Sequence, residues 1–377
     1  MSSPTPPGAR KPRVAVVFGG RSSEHGISCV TAGSVLSAID REKYDVVPVG
    51  IATDGRWVLE SGDTTRLAIT GSTLPAVDGD RAGVALLRDQ DATDLVVADA
   101  ASVPEVIGAV DVVFPLLHGP WGEDGTIQGM LEMAGVRYVG AGVLASAVGM
   151  DKAYLKLVLR AAGLPVLPGV VITAREWERG AEECRRRVAE LGYPVFAKPA
   201  RGGSSFGISK VHDAPELDRA IAHAQEHDPK VLVETAAPAG SRELECGVLE
   251  SLDGEPETSV PAEVIVSGDH EFYDFEAKYL PEEHTQLDIP ADVSDETAAV
   301  IRDLSAKAFT AVSCEGIARV DFFLDPEGDV VINELNTMPG FTPLSMYPQM
   351  WNASGVDYPA LVDRLIELAL RRGTGLR

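Results

Sequence analysis

Positive charge is scarce in this chain. Of 377 residues, 33 are Lys or Arg against 57 Asp or Glu, a formal net charge of −24. A surface this acidic repels phosphate backbones and excludes nucleic acid as a partner. Any nucleotide site must therefore concentrate cations of its own. No apolar run approaches the roughly 18–20 residues of a membrane span, so no membrane partner is expected. The four cysteines, Cys29, Cys184, Cys246 and Cys314, are far apart and form no CxxC pair. That argues against structural zinc and a disulfide framework and fits a reducing, cytoplasmic setting; we read them as small buried hydrophobes. The chain contains no Gly-Lys dipeptide and hence no P-loop. Residues 1–12 are Pro-rich without an apolar core, which reads as a disordered leader rather than a secretory signal.

What is present is a globular composition, 45% hydrophobic and 24% charged, on a chain too long for one ordinary core. RVAVVFGG (13–20), followed by apolar periodicity from Ile27 to Ile39, is the strand–glycine turn–helix opening of an α/β unit. YDVVPVGIATDGRWVL predicts two strands around a turn at Asp54-Gly55. DVVFPLLHG, a helix from Asp124 and VRYVG complete a first domain, 13–142, with an unpatterned insertion over about 60–105. A second domain, 143–238, is expected to hold helices over Lys152–Ala162, Glu176–Leu191 and Pro215–Glu226 among the strands YPVFAK, GISKV and KVLVE. A third, 239–377, is strand-rich, with helices over Ser294–Val312 and Tyr358–Arg371. The fold class is α/β, turning α+β in the C-terminal part.

Chemistry first shows in ARVDFFLD and VVINELNT. Asp325-Pro326-Glu327-Gly328 is a turn signal, so the two segments form a hairpin. If those four residues are the whole loop, Leu324 faces Asp329, and Arg319, Asp321, Glu334 and Asn336 project from one face. Val320, Phe322, Leu324, Val331 and Leu335 take the other face, with Asn333 the exception. A bulge at Gly328 would break this grouping. Two carboxylates and an amide oxygen suit magnesium, which completes its shell with phosphate oxygens and water. Glu334 could bridge two ions. The competing reading is a solvated hairpin face. A second element is YPVFAKPARGGSSFGISKV, where Lys198 ends an apolar strand before a Gly/Ser loop able to wrap phosphates. Alone, that loop could equally be a flexible turn.

With these elements and EFYDFEAKYL (271–280), the chain resembles the D-alanine–D-alanine ligases of the ATP-grasp superfamily. The likeness runs nearly end to end through GGRSSEHGIS, LLHGPWGEDGTIQGMLE, GMDK, KPARGGSSFG, FEAKY, ARVDFF and NELNTMPGF. It implies an ATP-grasp fold preceded by a Rossmann-like α/β domain, with ATP between the second and third domains and the amino acids at the junction with the first. It implies that the γ-phosphate of ATP passes to the carboxylate of one D-alanine and that the amine of a second displaces phosphate through a tetrahedral intermediate.

The resemblance also implies roles. Lys152, Lys198 and Lys278 would neutralise phosphate oxygens; Ser205 and Asn333 would join the ATP site; Glu234, Thr235 and Ala237 would meet adenine, and Glu243 the ribose. Asp321, Glu334 and Asn336 would hold two Mg2+ or Mn2+ ions, with a monovalent cation such as K+ a further cofactor. Arg319 and the N–H of Gly340 would stabilise the oxyanion. Glu24 would hold the ammonium of the first D-alanine, linked through Ser204 to Tyr279. His118 would lie near that substrate, with Ser345 and Met346 near the second. A homodimer is implied as well. Ligases that make D-alanyl-D-lactate lack a tyrosine at the matched site, so Tyr279 implies the dipeptide. Gly26, where many relatives carry a charged residue, is expected to loosen the Glu24 loop. The segment from about 265 to 290 is expected to close over the site, since an acyl phosphate must be shielded from water.

Other readings remain at this point. Glu24-His25 could sit in an exposed turn, and His118 could be an ordinary strand-end histidine. His223 and His227 have metal-ligand spacing but read as part of a solvated helix. Another ATP-grasp ligase, or a non-catalytic nucleotide-binding regulator, would share the C-terminal motifs; the motifs around Glu24 and His118 speak against the first, and the intact ligand set against the second.

Overall fold

The computed structural model describes residues 10–71, 73–88, 93–97, 105–203, 206–266 and 285–375. Ser204, Ser205, Lys278, Tyr279 and most of the 265–290 segment lie outside the described residues. The chain divides into two compact units, one of 1–122, 126–140 and 357–377, the other of 123–125 and 141–356.

In the first unit, β-branched runs at Arg13–Gly19, Asp45–Ile51 and Val112–Pro115 make a parallel sheet, with Trp57–Leu59 antiparallel at one edge and Arg137–Tyr138 parallel at the other. Val14, Val16, Val113 and Phe114 are fully buried within it, as expected of a sheet covered on both faces. The insertion is more ordered than its sequence suggests. It contributes Thr64–Leu67 and an antiparallel sheet of Val84–Arg88, Thr93–Val97 and Glu105–Ala109. The last helix, Tyr358–Arg371, belongs to this unit. Its Asp363 accepts two bonds of 2.8 Å from Lys43 Nζ and one of 2.7 Å from the hydroxyl of buried Tyr44. Asp363→Ala leaves that hydroxyl without its acceptor, a loss of about 1–3 kcal/mol. Thermal unfolding should fall by several degrees, and an unchanged midpoint would remove this anchor from the account.

Among its described residues the second unit holds two sheets and two separate hydrophobic clusters. The four-stranded sheet runs Ser209–Val211, Val195–Pro199, Lys230–Thr235, Gly169–Thr173, all antiparallel. Val195, Ala197, Val231, Val233 and Ile172 bury one face against the helices Ala174–Ala189 and Leu217–Gln225. By alternation, Phe196, Lys198, Leu232 and Glu234 take the other. The larger sheet centres on Arg242–Glu250, flanked by Ala262–Val266 and Ile317–Leu324, with Val330–Asn336 at its edge. Helix Asp295–Ala311 covers its buried face, capped by Ser294. Two short helices, Val143–Met150 and Met346–Ala353, escape the sequence reading. Both are flanked by glycine or proline and too short to show a clear period.

The hairpin register departs from expectation twice, and the two one-residue shifts add to a slip of two, which keeps the facing. At the tip the loop takes a fifth residue: Asp325 N–H donates to Asp329 O, Gly328 has φ +96°, and Leu324 pairs with Val330. A bulge between Asp321 and Phe322 then leaves Asn333 as the extra residue. Each shift alone would turn the polar set over. Together they put Asp321 opposite Glu334 and Arg319 opposite Asn336. The apolar face is corrected accordingly. Val330 and Ile332, rather than Val331, join Val320, Phe322, Leu324 and Leu335 in the core.

Candidate active site

In the second unit the hairpin delivers its polar face as one hydrogen-bonded group. Arg319 forks onto Asp321 at 2.7 and 2.8 Å. Asn336 Nδ2 donates to the same carboxylate at 3.1 Å, and Arg319 meets Glu245 on the neighbouring strand at 3.0 Å. Burial alone would pull the Arg319 guanidinium down, but Asp321 and Glu245 outweigh it and hold it firmly protonated. Glu245 was not legible as a site residue. Its signal is the alternation in RELECG, which puts Glu243 and Glu245 on one strand face; Glu245 pairs with Asp321, and Glu243 is half-buried opposite Phe323.

Lys152 opens the helix Lys152–Ala161. Asp151 caps that helix, accepting from the N–H groups of Ala153 and Tyr154, and is itself gripped by Lys230 at 2.7 Å. The backbone N–H of Lys152 bonds Ala200 O at 2.8 Å, and its ammonium reaches Glu334 at 2.7 Å. Burial would lower this lysine; Glu334 overrides that and raises it. Lys198 lies in the strand Val195–Pro199, diagonal to Glu234 across the ladder, and the two side chains form an ion pair. Glu234, 1% exposed, also meets Lys156 at 2.8 Å. Lys156 was missed as well, although it follows Lys152 at helical spacing (i+4) on the same helix. Thr235 and Ala237 are half-buried where the strand ends.

The described part of the Gly/Ser loop is pinned at its root. Arg201 bonds Asp228 through its backbone N–H and both ends of its guanidinium fork. Burial raises the Asp228 carboxyl, but Arg201 and the Lys230 N–H more than reverse that and lower it. At the loop's far end Gly207 has φ +74°, and a Cβ there would lie 2.5 Å from a carbon of His227. His223, Glu226 and His227 bring ligand atoms within 4.8 Å of one another, and all three are exposed, as a solvated helix end would be. Beyond the hairpin, Gly340 is half-buried. Ser345 caps the turn by accepting from Thr342 N–H at 3.1 Å, and Met346 is buried behind it.

The first unit holds its own polar cluster. Glu24, His25 and His118 are all buried, so none is an exposed-turn residue. Gly119 follows His118 with φ +72°, and a Cβ there would sit 2.5 Å from the Glu24 carboxylate. Ser22 Oγ donates to His118 O at 2.8 Å, and Thr31 Oγ1 lies 3.3 Å from His118 Nε2. His25 serves the scaffold: Nε2 accepts from Val77 N–H at 3.1 Å, so Nδ1 carries the proton toward Gly20 O at 2.6 Å. A Cβ at Gly26 would lie 2.6 Å from Leu74 Cβ, so glycine lets the helix pack there.

The family models for the D-ala D-ala ligase N-terminus and C-terminus match residues 13–141 and 158–367. A D-alanine–D-alanine ligase of Arthrobacter sp. (strain FB24) is 58% identical over 379 residues, covering 100% of this chain and 99% of that one. One from Streptomyces avermitilis is 58% identical over 376 residues, covering 98% and 96%. Among solved structures, the VanG D-Ala:D-Ser ligase from Enterococcus faecalis superposes with a TM-score of 0.81 at 34% identity, over 96% of this chain and all of that one. The D-alanine–D-alanine ligase from Coxiella burnetii gives 0.78 at 34%, over 96% and 94%.

Proposed function

Because the chain belongs to the D-alanine–D-alanine ligase family, we infer that it joins two D-alanines at the expense of ATP, giving D-alanyl-D-alanine, ADP and phosphate for the peptidoglycan precursor. Its fold is the ATP-grasp fold, preceded by a Rossmann-like α/β domain. The observation that carries the chemistry is the direct pairing of Asp321 with Glu334 and of Arg319 with Asn336 on one sheet face, with Lys152 on Glu334.

Two carboxylates and an amide are the hard oxygen donors a magnesium or manganese ion takes, so the residues fit that ion. Asp321, Glu334 and Asn336 would hold two such ions, which supply charge neutralisation for phosphate oxygens. The chain's own groups do the rest. Lys152 and Lys198, with Lys278, Ser205 and Asn333, would bind and orient the triphosphate. Glu234, Thr235 and Ala237 would line the adenine, and Glu243 would take the ribose hydroxyls.

Glu24 supplies a buried countercharge for the ammonium of the first D-alanine, with His118 beside it. A carboxylate oxygen of that D-alanine attacks the γ-phosphorus, ADP leaves, and an acyl phosphate forms. The amine of the second D-alanine, with Ser345 and Met346 near its carboxylate end, then attacks the acyl carbon. Arg319 and the Gly340 N–H would stabilise the oxyanion before phosphate departs.

Ser204 and Tyr279 would connect this centre to Glu24. We place the divisions of the chain near 142 and 238, with two exchanges across them: Leu155, Leu159 and Leu164 pack in the core of the strands after 240, and the last helix joins the first unit. A homodimer, K+ as a monovalent activator and a cytoplasmic location complete the proposal. The four cysteines support that location: all are free and buried, and burial pushes the Cys29 thiol up to about 12. No helix among the described residues is long and apolar enough to cross a membrane.

The direct test is ADP release with ATP, magnesium and D-alanine, against L-alanine, D-serine and D-lactate. D-alanine should support the fastest turnover; release independent of D-alanine would refute the assignment. Tyr279→Phe should raise D-lactate use relative to D-alanine several-fold, and an unchanged ratio would take Tyr279 out of product choice.

A further inference from the structure

Glu234 is compensated by two cations, and only one of them has another task. Its side chain is 1% exposed, with Lys198 against one oxygen and Lys156 at 2.8 Å from the other. Each oxygen faces one ammonium, and a carboxylate oxygen can accept more than one donor, so the group retains acceptor capacity for a ligand donor. Lys156 is itself 6% exposed at the side chain. It is fixed on a helix whose first turn is tied down by Asp151, Lys230 and the Lys152–Ala200 bond.

We propose that Lys156 is a positioning residue for the nucleotide site: it keeps Glu234 ionised and in place, so that Lys198 can turn its ammonium to the phosphates. The inference rests on the ATP-site reading above. If Lys198 were the sole cation on Glu234, each shift of its ammonium toward a phosphate would leave a buried carboxylate alone. Stripping one partner from a buried pair is strongly unfavourable, enough to hold Lys198 where it is. A second, fixed cation removes that cost.

The local electrostatics fit such sharing. Burial favours protonation of Glu234, yet Lys198 and Lys156 together keep it below the usual carboxylate range. Burial lowers the Lys156 ammonium, and Lys198 adds to this from the cation side. Two lysines crowd one anion, and the crowding is relieved when Lys198 engages another.

The substitution Lys156→Met keeps the stem volume and deletes the charge. In the full-length protein it should weaken ATP binding about 10- to 100-fold, the size of one lost charge-assisted contact, while KM for D-alanine stays within about twofold. The decisive comparison is a double-mutant cycle with Glu234→Gln. With the carboxylate gone nothing holds Lys198 back, so adding Lys156→Met to Glu234→Gln should cost no more than about threefold.

Equal losses in both backgrounds would mean that Lys156 only packs, and would overturn the proposal. So would ATP affinity unchanged in Lys156→Met. Should that variant fold poorly by circular dichroism, Lys156→Gln carries the same comparison. Lys198→Met separates the two levels of inference. If it leaves ATP binding intact, the ATP-site reading fails and the role of Lys156 with it. If it abolishes binding while Lys156→Met does not, the role of Lys156 alone falls.

Discussion

Glu334→Gln is expected to lower ligation by about 1,000-fold or more without unfolding the protein. The substitution is isosteric and sits on a strand whose neighbours Leu335 and Ile332 are in the core, so packing is preserved. What changes is one negative charge at the point where Lys152 and Asp321 converge. A neutral amide would be a weaker ligand than a carboxylate for a divalent ion, and Lys152 loses the partner that holds it protonated despite burial. Circular dichroism and thermal melting should match the parent while phosphate release vanishes. Activity within about tenfold of the parent would end the metal-ligand assignment.

Arg319 should show the second-largest effect, with two separable parts. Arg319→Met removes the cation shared by Asp321 and Glu245. Two largely buried carboxylates are then left without it, a destabilisation of about 3–5 kcal/mol. It also removes the proposed oxyanion partner, worth about 100- to 1,000-fold in kcat. Arg319→Lys distinguishes the parts. It keeps the charge but loses the planar fork that meets Asp321 through two nitrogens. Melting should recover most of the loss while kcat stays low. If Arg319→Lys restores turnover as fully as stability, the residue acts only as structural charge.

The α/β rhythm was legible because the first-unit strands are short β-branched runs, and helices such as Ala174–Ala189 and Tyr358–Arg371 carry clear apolar periods. The final helix was bounded correctly at Tyr358–Arg371. Its place in the first unit was not legible, since nothing local shows that Asp363 reaches Tyr44. The hairpin grouping was read for an incomplete reason. Period-two alternation selects Arg319, Asp321, Glu334 and Asn336 under a four-residue loop, whereas the chain reaches the same grouping through a five-residue loop and a bulge at Asn333. Alternation reports parity and cannot see paired shifts. Glu245 and Lys156 were missed because each looks like an ordinary strand or helix charge until a partner from a distant segment arrives. His25 shows the opposite case. It stands beside a proposed substrate residue, yet both ring nitrogens are committed to Gly20 and Val77.

The central claim is that ATP activates the carboxylate of one D-alanine before a second attacks it. Ligation of D-alanine labelled with 18O in its carboxylate tests this most directly, with the released phosphate analysed by mass. The carboxylate oxygen that attacks phosphorus leaves with it, so each phosphate should carry one 18O atom per dipeptide formed. Unlabelled phosphate accompanying D-alanyl-D-alanine would contradict the account.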